Sequence, residues 1–165
     1  MTAHDHDHDH DHGVLDEPAL QPRMGEGIRV ESLFLADGAD VASGKLYVLG
    51  GGWTTIWSRE FPTIHERLSL VILLSVPWME TNQVHPFTID LVDEDGRSVL
   101  PQPLAGTFNM GRPAQAVPGD PFMFPFAPTI NNLQLGREGR YAFVLTVDGR
   151  HLGQTAFRAR LTAEG

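Results

Sequence analysis

One long apolar run interrupts a chain that otherwise alternates apolar and polar residues over much of its length. The run is Leu68–Trp78, LSLVILLSVPW. It has about half of the roughly 20 residues that a membrane-spanning helix needs, so a buried element of a soluble domain is the better interpretation. Its β-branched residues, its short length and its stop at Pro77 predict a central β-strand.

Further strand patterns, separated by turn residues, lie on both sides of this run. The clearest hairpin is near the C-terminus, where Tyr141–Val147 and Leu152–Leu161 flank the turn Asp148-Gly149. Its second arm places Arg158 and Arg160 on one face, which is usual for a solvated face and less common for an anion site. The other predicted strands are Ile28–Leu35, Lys45–Leu49, Trp53–Trp57, Phe87–Val92, Thr107–Met110, Phe122–Phe126 and Thr129–Leu135.

These segments predict an all-β fold, an antiparallel two-sheet β-sandwich of roughly eight strands. The 17 glycines and 12 prolines fit a fold with many turns, and 165 residues are enough for one domain with a proper core. We expect a single β-sandwich domain over residues 28–165. Residues 1–27 are expected to form a disordered His/Asp-rich tail and linker.

Charge and residue content exclude several classes of function. The formal net charge is −9, and the 12 lysines and arginines are scattered, so we expect neither nucleic acid nor a membrane surface as partner. The absence of cysteine excludes disulfides, a thiolate nucleophile and cysteine-ligated zinc. The polar stretch from Thr2 to Gly13 lacks the pattern of a secretory signal, which predicts a cytoplasmic protein.

The most unusual segment alternates histidine with aspartate near the N-terminus, as HDHDHDHDH. On an extended chain this alternation places the imidazoles on one side, where neutral rings suit Zn, Ni or Cu. Metal capture, a solubilising pH-responsive arm and an engineered segment are three open interpretations. The candidate metal ligands are His4, His6, His8, His10 and His12.

The stretch Ala36–Trp53 carries a family resemblance through two motifs. They are ADGADV at 36–41 and GKLYVLGGGW at 44–53. The chain resembles a bacterial family of β-sandwich domains of unknown function that share this stretch. That resemblance implies a fold but no activity. Read physically, Ser43-Gly44 predicts a turn, and the three following glycines, 50–52, predict an interruption or bulge of the strand.

Candidate chemistry inside the domain is sparse. His65, His85 and Glu80 form a weak candidate metal site, and the acidic stretch Asp93–Asp95 favours a plain turn over a calcium loop. Asp90 and Glu66 could form a carboxylate pair only if their strands are neighbours. We find no nucleophile elbow and no metal-binding H-x-H on a strand.

Aromatic residues mark a different candidate surface in the proline-rich segment from Pro101 to Pro128. We expect them to seal the core or to form an exposed ridge that binds a partner. These candidate partner-binding residues are Phe122, Phe124 and Phe126.

The sequence therefore predicts a non-enzymatic cytoplasmic binding or assembly module that acts through protein–protein contacts. We expect a protein partner or self-association into a homo-oligomer, and no required cofactor. One alternative is a metal-binding accessory protein whose tail captures Zn, Ni or Cu. A second alternative is an enzyme with an unrecognised carboxylate/His site.

Overall fold

The structure, a computed structural model, describes residues 27–163 and consists of two packed β-sheets of five strands each. It confirms the predicted two-sheet all-β sandwich, with ten strands where spacing predicts roughly eight. The strands are β1 (Arg29–Ala42), β2 (Lys45–Gly51), β3 (Thr55–Ser58), β4 (Thr63–Val76), β5 (Val84–Asp93), β6 (Leu104–Asn109), β7 (Phe122–Phe126), β8 (Thr129–Leu135), β9 (Gly139–Val147) and β10 (Arg150–Leu161). A single 3-10 turn, Trp78–Glu80, lies between β4 and β5.

β4 organises the first sheet, as the apolar run predicts. It pairs with β1 on one side and, on the other, with β8 along its first half and β7 along its second half. One continuous register places β7 and β8 along the same edge, which is broken only at Ala127-Pro128. The interruption follows from proline, because Pro128 has no N–H to donate, although its carbonyl accepts from Leu70 at 3.0 Å.

The second sheet has the order β3-β10-β9-β5-β6. The predicted terminal hairpin β9–β10 is present, with Asp148 and Gly149 both at positive φ in its turn. β3 pairs with β10 in parallel, so this pairing is an exception to the antiparallel sandwich expected from the sequence. The four-residue β3 forms one edge of the sheet and β6 forms the other.

The core lies between the sheets and is built from alternating positions of the long strands. On β9 every second residue is buried, and on β4 the whole stretch from Leu68 to Val76 is buried except Leu73. Phe143 and Phe157 stack at 5.9 Å in the middle of the second sheet. No helix among residues 27–163 is long and apolar enough to cross a membrane.

The main error of the strand prediction concerns the end of the first strand. It was expected to stop at Leu35, whereas β1 continues to Ala42. The extra residues no longer pair with β4, whose register with β1 ends at Ala36, but with β2. The alternation of buried and exposed residues is lost there, because no residue from 37 to 42 is buried.

Candidate functional site

The first candidate site is a two-stranded arm that extends from the edge of the first sheet. We define the arm as residues 37–51, the part of the β1–β2 hairpin beyond the last β1–β4 pair at Ala36. Ser43 and Gly44 form its tip, both at positive φ, as a tight hairpin turn requires. The arm therefore contains most of the stretch that carries the family resemblance.

Glycines determine how β2 returns to the sandwich. Gly50 has φ +61°, and a side chain there would meet the carboxylate of Asp37 on the neighbouring strand, with Cγ only 2.7 Å from the added Cβ. Gly52, at φ +89°, donates its N–H to the carbonyl of Leu35 at 2.8 Å. The glycine run thus permits a backbone conformation that other residues rarely adopt.

Three consecutive apolar side chains of β2 are exposed. Tyr47 is 57% exposed, Val48 42% and Leu49 74%. Because successive side chains of a strand point to opposite faces, exposure of three in a row means that both faces of β2 are open to solvent at this triplet. The outer edge of β2 pairs with no other described strand, so its backbone is also free to pair.

The predicted aromatic surface lies on β7, and its aromatic rings face inward. Phe124 stacks on Phe108 of the opposite sheet at 4.7 Å, and Phe126 contacts Phe87 edge-on at 4.9 Å. Phe122 lies 6.0 Å from the ring of Trp78. All three phenylalanines are half-buried, so their partner-binding role stays a prediction while their packing role is visible.

A small apolar cavity of about 140 Å³ lies behind these rings, between edge strands β6 and β7. Its lining comes from both sheets and includes one polar residue, Thr107. The lining residues are Ile72, Leu74, Phe87, Thr107, Phe108, Phe124, Phe126, Leu145 and Val147.

The second candidate site surrounds His85, at the start of β5. The residue is 2% exposed, and each ring nitrogen has an acceptor: the Asp148 carboxylate lies 2.8 Å from Nδ1 and the Glu80 carbonyl 2.7 Å from Nε2. The ring also packs on Phe108 at 5.2 Å. Two acceptors can both be satisfied only when the ring carries a proton on each nitrogen.

Burial by itself lowers the pKa of His85, but the hydrogen bonds to Glu80 and Asp148 outweigh it, so the pKa is raised overall. Side-chain atoms of Glu80, His85 and Asp148 lie within 4.8 Å of one another, a spacing that also fits a metal ion. Metal binding requires a neutral imidazole with a free nitrogen. The geometry therefore favours an imidazolium ion pair over a metal site.

Arg112 holds the neighbouring 3-10 turn from the outside. Its guanidinium donates to the carbonyl of Trp78 at 2.9 Å and to the hydroxyl of Thr81, and it lies 4.3 Å from the Trp78 ring centre. His85 and Arg112 thus bind the same turn from its two sides. These contacts hold the 3-10 turn in place, although it is not paired with any strand.

The weak metal hypothesis of the sequence is only partly supported. Glu80 and His85 do come together, but the third group is Asp148 and not His65. His65 packs edge-on against Trp53 at 5.9 Å. Glu66 lies on β4 and Asp90 on β5, in different sheets, so the carboxylate pair is not formed.

The acidic stretch 93–95 forms a turn, which the sequence favours over a calcium loop. Asp93 accepts hydrogen bonds from the N–H groups of Asp95 and Arg97, both at 3.0 Å. Arg137 reaches the carboxylates of all three acidic residues at 3.4–3.8 Å. An arginine thus supplies the positive charge that a calcium ion would otherwise provide.

The histidines of the tail, His4 to His12, lie outside the described residues.

Sequence inspection missed the roles of Asp148, Arg112 and the arm. Asp148 was assigned only to a turn, because its contact with His85 spans 63 residues of sequence. The arm could have been found from Tyr47 to Leu49, an apolar triplet beside a glycine run, which is an unusual composition for a buried alternating strand.

Comparison with known proteins supports a family assignment and no activity. No curated protein matches this sequence. Among solved structures, the Pseudomonas fluorescens alkylpurine DNA glycosylase AlkC bound to DNA containing an abasic site analog is similar at 19% identity and a TM-score of 0.38. The match covers 83% of this chain but only 31% of that protein, and a likeness this low says nothing about function. Residues 31–160 match a family of unknown function, DUF6941, and the chain therefore belongs to that family.

Proposed function

We propose that this protein is a non-enzymatic assembly module that self-associates through the arm. The observation that carries the proposal is the uncovered triplet Tyr47–Leu49 on an edge strand. An isolated two-stranded hairpin is marginally stable in water, and apolar groups that stay exposed on both of its faces contribute no hydrophobic stabilisation. A partner strand would cover the triplet and complete the backbone hydrogen bonds of β2.

The triplet favours a second copy of this chain as the partner. If β2 pairs antiparallel with itself around Val48, Tyr47 faces Leu49 of the other copy on each side of the two-fold axis. Apolar side chains directly across neighbouring strands cover each other's surface, which stabilises the pairing. A two-fold contact of this kind uses the same surface twice and closes on itself, so it forms a dimer and not a fibre.

Two of the other three sheet edges are less suited to strand pairing. The edge formed by β7 and β8 contains Pro125 and is interrupted at Pro128, and β3 has only four residues. Prolines and short strands are features that block edge-to-edge pairing. β2 has seven residues, no proline and one charge, Lys45.

The test is a substitution that places a charge on the arm. Leu49→Lys should convert a dimer into a monomer in sedimentation velocity experiments. Met79→Lys is a matched control, because Met79 is 76% exposed and lies on the 3-10 turn, which is not part of the arm. A wild-type protein that stays monomeric, or a dimer that Leu49→Lys leaves intact, would contradict the proposal.

The register can be tested independently because the chain has no cysteine. In the proposed dimer Val48 faces its own copy, so Val48→Cys should form an intermolecular disulfide under mild oxidation. Val84→Cys is the control, since Val84 is also exposed, at 64%, but lies on β5 between two other strands. Equal crosslinking of the two variants would show random collision and not the proposed pairing.

A further inference from the structure

Two arginines of the second sheet face each other directly across neighbouring strands. Arg140 on β9 is paired in register with Arg158 on β10. Both side chains are exposed on the outer face of the sheet, because the adjacent residues Tyr141 and Phe157 point into the core. Like charges directly opposite each other on a sheet are destabilising, so a negative charge bound between the two arginines would stabilise the pair.

No carboxylate of the described residues forms a salt bridge with this arginine pair. Glu94 follows the Asp93–Tyr141 pair towards Arg140 but lies 3.8 Å from Arg137. Among residues 27–163, Arg29, Arg97 and Arg137 make salt bridges, whereas neither Arg140 nor Arg158 does. Glu138 precedes Arg140 by two residues, but one of its carboxylate oxygens already accepts the N–H of Leu161 at 2.7 Å.

The two arginines border an open polar hollow of about 230 Å³. Thr55 lies beside Arg158 in the parallel β3–β10 pairing, and both residues line the hollow. The next pair along the strands is Ala156 with Ala142, two small side chains that leave the neighbouring surface low. The lining residues are Thr54, Thr55, Arg140, Ala156, Phe157 and Arg158.

We propose that this hollow, the Arg140–Arg158 site, binds the phosphate group of a small molecule. Guanidinium and hydroxyl groups are side-chain donors that recognise phosphate oxygens, and each guanidinium can form paired hydrogen bonds with a phosphate. The bound phosphate removes the repulsion between the arginines. A small ligand is favoured over a polyanion because the protein carries a net charge of −9, which repels extended nucleic acid.

The experiment measures binding and thermal stability together, at constant ionic strength adjusted with sodium chloride. Inorganic phosphate, glycerol 3-phosphate and a single-stranded oligonucleotide are titrated separately. Arg158→Gln should weaken phosphate binding about tenfold or more, and without phosphate it should melt at a higher temperature than wild type, because the repulsion is gone. Arg160→Gln is the matched control, since Arg160 shares the strand and its outer face but does not line the hollow.

The outcomes separate the ligand sources and can overturn the proposal. Equal affinity for the two small ligands identifies phosphate itself, and tighter binding of glycerol 3-phosphate identifies a phosphorylated metabolite. Preferential binding of the oligonucleotide overturns the small-molecule assignment. The proposed phosphate site is contradicted if Arg158→Gln still binds phosphate or if Arg160→Gln loses binding equally. It is also contradicted if Arg158→Gln melts at a lower temperature than wild type without phosphate.

Discussion

His85 and Asp148 form an ion pair that joins the start of β5 to the turn between β9 and β10, with 2.8 Å between Nδ1 and Oδ2. The imidazole is almost fully buried, and the carboxylate is partly exposed. Glu80 accepts from the other ring nitrogen through its backbone carbonyl. One protonated ring thus connects the β9–β10 turn, the first residues of β5 and the 3-10 turn.

This pair predicts a pH dependence of stability. The pKa of His85 is raised in the folded protein, so its stabilising contribution is complete below the unfolded value of about 6.5 and is lost as the pH rises through the folded pKa. We therefore expect the free energy of unfolding, measured in urea, to decrease above about pH 6.5.

Asp148→Asn should reduce this pH dependence, because asparagine tolerates the positive φ of the turn but carries no charge. We expect it to cost about 1–2 kcal/mol at pH 6, discounted for the exposure of the carboxylate. The same pH dependence in Asp148→Asn as in wild type would contradict an ion-pair origin.

Asp93 predicts an opposite effect in acid. Hydrogen bonds from the N–H groups of Arg97 and Asp95 and the nearby charge of Arg137 lower its pKa, despite partial burial. Its contribution is therefore present above the unfolded value of about 3.9 and is lost as the pH falls through the folded pKa. Asp93→Asn should flatten the acid limb of the urea-stability profile, and Asp120→Asn, in the loop between β6 and β7, is the comparison variant. Identical acid limbs for wild type and Asp93→Asn would contradict this assignment.

Substitution of Gly50 should destabilise the arm locally. Alanine at this position combines a strained positive φ with a clash against Asp37, and the strain alone is about 1–2 kcal/mol. Hydrogen exchange of the β2 amides should accelerate about tenfold or more in Gly50→Ala. Gly38→Ala is the control, because Gly38 has no unusual φ and no neighbour within 4 Å of an added Cβ. Asp37→Ala in the Gly50→Ala background should restore part of the protection, and a lack of any recovery would mean that backbone strain alone is responsible.

Substitutions at two adjacent residues of β7, Phe124 and Met123, should differ in their effect on the free energy of unfolding. Phe124→Ala removes the stack on Phe108 and enlarges the apolar cavity, so we expect a loss of about 3 kcal/mol in the free energy of unfolding. Met123→Ala should change it by less than about 0.5 kcal/mol, because Met123 is 48% exposed on the other face of the strand. Similar losses for the two variants would mean that the inward orientation of Phe124 is wrong.

The histidines of the tail predict metal uptake that is independent of folding. We expect wild-type protein to bind Zn, Ni or Cu near neutral pH, and removal of residues 1–12 to abolish this binding without changing the urea midpoint. Substitution of His4, His6, His8, His10 and His12 by glutamine should have the same effect at full length. Stoichiometric metal retained after the deletion would instead direct attention to Glu80, His85 and Asp148.

Much of the fold could be predicted from local pattern. β7 and β8 occupy the predicted residues, and β4 ends directly before Pro77, as expected. The end of β1 could not be predicted, because the residues beyond Ala36 pair only with β2 and carry no core-facing alternation. Sheet membership was likewise unpredictable: β3 joins β10, about 100 residues later, in a parallel pairing that no short-range signal specifies.

The candidate sites also combine features that the local sequence predicts with features that only the tertiary structure shows. Sequence alone determined the all-β class, the turn residues and the arginine face of the last strand, because side-chain alternation and turn chemistry are local properties of the backbone. Only the tertiary structure decided that Arg140 opposes Arg158, that Asp148 meets His85 and that Tyr47–Leu49 lie outside the core. Those relationships depend on strand register and on which surfaces the opposing sheet covers, and both are set by the packing of the whole chain.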